Sequence, residues 1–186
     1  MLNIKYKNKY RIPSNRLQGY NYGSNGYYYV TICTKNRIHY FGEIVNGKMQ
    51  LSEIGKIAQA EWLKTTKLRP DMNLLLDVFI VMPNHFHCVI CIGNNQYNTL
   101  IMPYKNKFGT QSKNLASIIR GFKTAVTTYA KKHNIDFAWQ ERFYDEIINT
   151  NNRLDEVRKY IFNNPQNWHI NKLNNKNANN EFKKSL

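Results

Sequence analysis

Two apolar runs, LLLDVFIVM (74–82) and HFHCVICI (85–92), stand with only Pro83 and Asn84 between them. Both have strand length, and a two-residue connection leaves no room for a crossover, so they are expected to pair as an antiparallel hairpin. The second run opens with two histidines separated by one phenylalanine. Successive side chains on a strand point to opposite faces, which puts His85 and His87 on one face and Phe86 on the other. The two imidazoles then stand about 6.6 Å apart along the backbone, near enough to converge on one ion. Taken alone, such a pair is more often polar decoration on a solvated sheet face.

Composition bounds the rest. The 186 residues, 42% hydrophobic and 13% aromatic, suffice for one cored domain and fall short of two. Lys and Arg number 27 against 12 acidic residues, a formal charge of +15 spread along the whole chain. That surface favours a polyanion. No apolar run approaches the roughly 18 residues of a spanning helix, and MLNIKYKNKYRIP lacks a signal-peptide core, so the expected setting is cytoplasmic. Cys33, Cys88 and Cys91 lie inside apolar strands and read as buried thiols of a reducing compartment. Cys88 and Cys91 spell CxxC but face opposite ways on a strand, which argues against zinc.

Further along the chain, YYYVTICT (27–34) reads as a strand and FGEIVNGKMQL (41–51) as a hairpin turning on Asn46-Gly47. Ser52 offers a cap for an amphipathic helix over 53–64. Residues 93–112 are polar and read as a surface loop. From Leu115 onward, Ile118, Ile119, Phe122, Val126 and Tyr129 form one stripe, with Arg120 and Lys123 among the basic residues mostly off it. A last helix, roughly 152–163, buries Leu154, Val157 and Ile161. The tail 171–186, rich in Asn and Lys, has almost nothing to bury and is expected to be disordered.

The last helix bears on the histidine pair. In VRKYIFNNPQNW, Tyr160 and Asn164 stand four apart and so share one helix face. Pro165 disfavours helical geometry for the residue before it, which places Asn164 at the helix end with its amide oxygen available as a hard ligand. A phenol, an oxygen ligand and an imidazole pair make a nucleophile beside a metal. Each also has a plainer role: a tyrosine at a stripe's edge usually packs with its hydroxyl wet, and an asparagine commonly ends a helix.

PNHFH, RGFKTAVTTYA, WQERFYDEII and VRKYIFNNP, in that order and spacing, resemble the REP-associated tyrosine transposases, relatives of the insertion-sequence single-tyrosine transposases of the HUH class. With RLQGYNYGSNGYYYVTICTKNR and FGEIVNGKMQLSEIG, the resemblance covers nearly all of residues 11–168. It implies an α+β fold, a ferredoxin-like antiparallel sheet flanked by helices, with the histidines on a central strand. Residues 1–170 would form a single domain with an N-terminal DNA-contacting segment. It further implies that His85, His87 and Asn164 bind Mg²⁺ or Mn²⁺ and that Tyr160 attacks a phosphodiester of single-stranded DNA, leaving a 5′-phosphotyrosine and a free 3′-OH. The partner would be hairpin-bearing single-stranded DNA in a bacterial cytoplasm, at the nucleoid, and the enzyme a monomer or a homodimer. Where relatives commonly show a histidine in the segment matching FYDEII and an arginine shortly after, this chain has Glu146 and Asn149.

For DNA contact the first candidates are Arg120 and Lys123 on the 113–132 helix, then Arg142, Arg158 and Lys159 near the proposed chemistry. Arg11 and Arg16, with the N-terminal tyrosines, are placed to grip or stack on unpaired bases. Three other classes compete. A non-catalytic hairpin-binding regulator would use the same basic surface and ignore Tyr160. A histidine-triad hydrolase wants a third histidine where Val89 stands. An RNA-binding ferredoxin-like module needs aromatic residues on an open sheet face, which YYYV could supply.

Overall fold

A computed structural model describes residues 17, 19–98 and 111–170. Arg11, Arg16 and the tail 171–186 lie outside the described residues, as does most of the polar stretch after residue 98.

Among the described residues six strands and three α-helices follow one another: β1 (Gly26–Cys33), β2 (Gly42–Val45), β3 (Lys48–Leu51), α1 (Glu53–Leu63), β4 (Leu74–Met82), β5 (His85–Ile92), α2 (Leu115–Lys132), β6 (Tyr144–Ile148) and α3 (Asn151–Asn163). The strands β4, β5, β1 and β6 hydrogen-bond in that order as one sheet, each antiparallel to its neighbour. β4 and β1 are therefore parallel with β5 inserted between them, the ferredoxin-like arrangement expected from the order of elements. β2 and β3 form the separate hairpin, and its turn residues Asn46 and Gly47 have φ of 50° and 71°, as such a tight turn requires.

The hairpin at Pro83-Asn84 pairs Met82 with His85 and makes β5 an interior strand. Its side chains are buried on both faces, which is why its sequence is almost continuously apolar instead of alternating. One face carries Phe86, Cys88 and Ile90, which meet Tyr28, Val30 and Ile32 of β1 beneath α1 and α2. There Trp62 packs edge to face on Phe86 and Phe122, which are tilted against each other, with all three ring centres 5.1–5.3 Å apart. The other face carries Tyr29 and Val89, covered by Leu154, Val157 and Ile161 of α3. Tyr28 is fully buried and Tyr29 nearly so, which leaves neither ring open for base stacking.

The helices begin where their caps dictate. Ser52 accepts from the Gly55 amide, Asn114 and Ser117 form a reciprocal capping box, and Thr150 accepts from the Arg153 amide. Gly55 is required for a second reason, since a Cβ at that position would run into the Phe41 carbonyl oxygen, which already accepts from the Ser52 amide. Gly55→Ala is expected to cost about 1–3 kcal/mol in urea unfolding despite alanine's better helix propensity, because the clash is with backbone. An unchanged or raised midpoint would show that the loop before α1 yields freely.

Asn164 departs from the expectation set by Pro165. It does end α3, but its backbone is helical (φ −57°, ψ −42°) and its amide reaches back to the Ile161 carbonyl. The local preference against helical geometry before proline is weak. Burial of the Asn164 side chain, 1% exposed, holds it there instead.

Candidate active site

β5 presents His85 and His87 on the face covered by α3, with ring centres 4.5 Å apart and planes at 71°. Both rings are buried. The register sets Thr31 of β1 opposite His87, and alternation puts Tyr29 on the same face. His87 Nδ1 lies 2.8 Å from Thr31 Oγ1 and 2.9 Å from Tyr29 Oη. His85 Nδ1 lies 2.7 Å from Asn84 Oδ1. Trp168 lies against the far side of His85, with ring centres 6.0 Å apart.

α3 brings the other two residues. The Tyr160 ring meets His87 edge to face at 5.4 Å and Tyr29 at 6.4 Å, and its side chain stays 45% exposed. Asn164, one turn on, is buried next to His85. The helix is tied to both edges of the sheet by arginine–carboxylate pairs. Arg158 binds Asp77 of β4 through two nitrogens, at 3.0 and 2.5 Å, and also pairs with Asp155. Arg153 binds Glu146 of β6 through two nitrogens, at 2.7 and 3.0 Å. Glu146, a departure from the pattern of the resembled family, thus has a definite partner here: it anchors the helix that carries Tyr160.

Electrostatics keep both imidazoles neutral. Burial, with His87 and Arg37 nearby, holds His85 well below the usual histidine range, and the Asn164 side chain only partly opposes this. Burial, with Arg37 second, pushes His87 down to about 3. Burial likewise raises the Tyr29 phenol well above the usual tyrosine range. Because an unfolded histidine takes its proton near pH 6.5, the unfolded chain is favoured as pH falls. Stability is complete above about pH 6.5 and is lost progressively toward about pH 3. At about pH 4.5 the loss from His87 alone is expected to be on the order of 2–3 kcal/mol in the metal-free protein. Urea unfolding across that range measures it, and a His87→Gln variant should show a shallower dependence.

Does this donor set suit a divalent cation? The Nε2 atoms of His85 and His87 are buried, and among the described residues no hydrogen bond of good geometry reaches either one. Buried polar nitrogens without partners are costly, and two of them in rings 4.5 Å apart form a place for a cation. The rings are neutral, as ligands must be, and their Nδ1 atoms are held by other groups, as is usual for metal-binding histidines. Among the described residues no three His, Cys, Asp or Glu side chains gather in one place, so further ligands would have to be oxygens such as that of Asn164. The residues fit the ion.

The proposed DNA contacts divide. Arg120, Lys123, Arg142 and Lys131 line an open groove of about 450 Å³ between α2 and the segment before β6, together with Trp139 and threonines of α2. α2 covers the sheet face opposite the histidines, so this groove lies across the sheet from Tyr160. Lys123 turns its ammonium onto the carbonyls of Gln140 and Arg142, at 2.7 and 3.2 Å, which pins that segment to α2. Arg120 donates to the Gln111 carbonyl. Arg158 is compensated by two carboxylates, and Lys159 is exposed. Among the described residues no helix is long and apolar enough to cross a membrane.

No family model matches the chain. An uncharacterized protein of Haemophilus influenzae is 35% identical over 165 residues, spanning 85% of this chain and 90% of that protein, and the chain belongs to one family with it. Among solved structures, that of a REP-associated tyrosine transposase bound to a REP hairpin overlays with a TM-score of 0.58 and 16% identity, covering 87% of this chain and 77% of the other. The chain has the fold of a REP-associated tyrosine transposase. That agrees with the family its ordered motifs resemble. Sequence reasoning passed over Asn84, Tyr29, Thr31 and Trp168 in this site. Alternation in YYYVTIC does put Tyr29 and Thr31 on one face, but only the β1–β5 register shows that the face is the histidine one.

Proposed function

We propose that the chain nicks and rejoins hairpin-bearing single-stranded DNA, with Tyr160 as nucleophile and His85, His87 and Asn164 as the site of Mg²⁺ or Mn²⁺. One observation carries this reading: an exposed tyrosine stands edge-on to His87 at 5.4 Å, beside two buried, neutral imidazoles whose Nε2 atoms receive no hydrogen bond of good geometry among the described residues. The phenol oxygen attacks phosphorus, the P–O3′ bond breaks, and the phenol's proton is balanced by the one the 3′ oxygen gains. The products are a 5′-phosphotyrosine and a free 3′-OH. A divalent cation, when bound, neutralises charge on the scissile phosphate. Because one phosphoester replaces another, rejoining to a second 3′-OH needs no nucleotide cofactor. The hairpin of the solved transposase belongs to that protein. For this chain, the +15 charge and the groove bearing Arg120 and Arg142 support a nucleic-acid partner.

The test is incubation with Mn²⁺ or Mg²⁺ and an end-labelled single strand carrying a hairpin from beside its own gene, followed by a denaturing gel. A covalent protein–DNA band that chelator abolishes is expected. Binding that weakens steeply with salt and yields no covalent band under any of these metals would leave a DNA-binding protein without the chemistry.

A further inference from the structure

Each imidazole of the site has its Nδ1 engaged, and the partners differ in what they allow. Asn84, fully buried in the β4–β5 turn, donates through Nδ2 to the Arg37 carbonyl at 3.3 Å. That bond orients the carboxamide so that Oδ1 faces His85 Nδ1 at 2.7 Å. A carboxamide oxygen only accepts, so this contact requires the proton on His85 Nδ1 and leaves a lone pair on Nε2. His87 is held by hydroxyls, which both donate and accept. Thr31 Oγ1 directs its hydrogen at the Tyr29 oxygen, 3.1 Å away. It thereby offers its lone pairs to His87 Nδ1 at 2.8 Å. The Tyr29 hydroxyl stands 2.9 Å from the same nitrogen with its own hydrogen to give, so the contacts of His87 admit either tautomer.

We propose that Asn84 is a positioning residue that holds His85 as its Nδ1–H tautomer, so that its Nε2 lone pair faces the cation site before any ion arrives. This rests on the metal reading above for its purpose, though not for its geometry. A neutral imidazole without such partners can place its proton on either nitrogen, and the Nε2–H form cannot ligate a metal through Nε2. Asn84 comes from the turn before the strand that carries the histidines, and is locked by Arg37. Selecting the tautomer in advance removes a cost that metal binding would otherwise bear.

Nitrogen-15 NMR of histidine-labelled, metal-free protein at neutral pH reads the tautomers directly. The His85 ring is expected as Nδ1–H. Asn84→Ala should return His85 to a mixture of tautomers. Mn²⁺ affinity, followed by the electron paramagnetic resonance of the free ion, should fall about 10–100-fold in that variant. An Nε2–H signal from His85 in the wild-type protein overturns the proposal. So does wild-type affinity in a folded variant whose tautomer has been lost. If a variant fails to fold, the wild-type spectrum still decides. Wild-type protein that shows His85 as Nδ1–H yet binds no Mn²⁺ sinks the metal reading and leaves the tautomer assignment standing.

Discussion

Tyr160→Phe is expected to abolish the covalent protein–DNA adduct while leaving hairpin binding intact. The substitution removes one oxygen and keeps the ring that packs on His87 and Tyr29. The helix should not notice, because α3 is held by Leu154, Val157 and Ile161 below and by the Arg153 and Arg158 pairs at either edge of the sheet. At a side chain 45% exposed, the stability change should stay within about 0.5 kcal/mol. Adduct formation, by contrast, should fall by at least about a thousandfold, the scale seen when an enzyme loses its nucleophile. Tyr29 cannot stand in for it, since burial keeps its phenol protonated and its oxygen is engaged by Thr31 and His87. A denaturing gel separates the outcomes: undiminished adduct in the phenylalanine variant would remove Tyr160 from the chemistry. Lost binding together with lost adduct would instead point to a damaged helix.

Phe86→Ala should produce the largest loss of stability, on the order of 3–5 kcal/mol in urea unfolding. Phe86 stands between the two histidines in sequence but faces the other way, fully buried against Trp62, Phe79 and Phe122. The site on the opposite face would lose none of its own contacts. A central strand with a cavity beneath it has little room to collapse, because β1 and β4 hold β5 on both sides. A loss below about 1 kcal/mol would mean that the surrounding aromatic rings close the gap. A protein that unfolds altogether at 25 °C would place its total stability at the low end of the ordinary range.

Some parts of this protein are legible residue by residue. Asn46-Gly47 announces a turn needing two positive φ angles, and Ser52 announces a helix start. The 115–132 stripe announces a helix buried on one side. In each case the signal is local, carried by side chains a few positions apart, and the structure repeats it within a residue or so. Asn164 shows where such reasoning weakens: its neighbour Pro165 argues against a helical backbone, and burial beside His85 prevails. For Lys123 the structure adds a contact that its place on the outer side of α2 does not announce: its ammonium turns onto two carbonyls of the adjoining segment.

Strand alternation alone determined that His85 and His87 share a face and that Phe86 does not, because the two-residue period of a strand is a property of backbone geometry. Helical periodicity alone determined that Tyr160 and Asn164 share a face, for the same kind of reason. Whether those two faces meet was decided only by the tertiary structure. The chain between residues 87 and 160 passes through α2 and β6 before α3 crosses the sheet, and the side it settles on depends on burying Leu154, Val157 and Ile161 against Tyr29 and Val89. Contacts that distant in sequence leave no local pattern, since each half is satisfied by its own periodicity wherever the other lies. The groups holding the imidazole nitrogens, Thr31 on a neighbouring strand and Asn84 oriented by Arg37, belong to that second category.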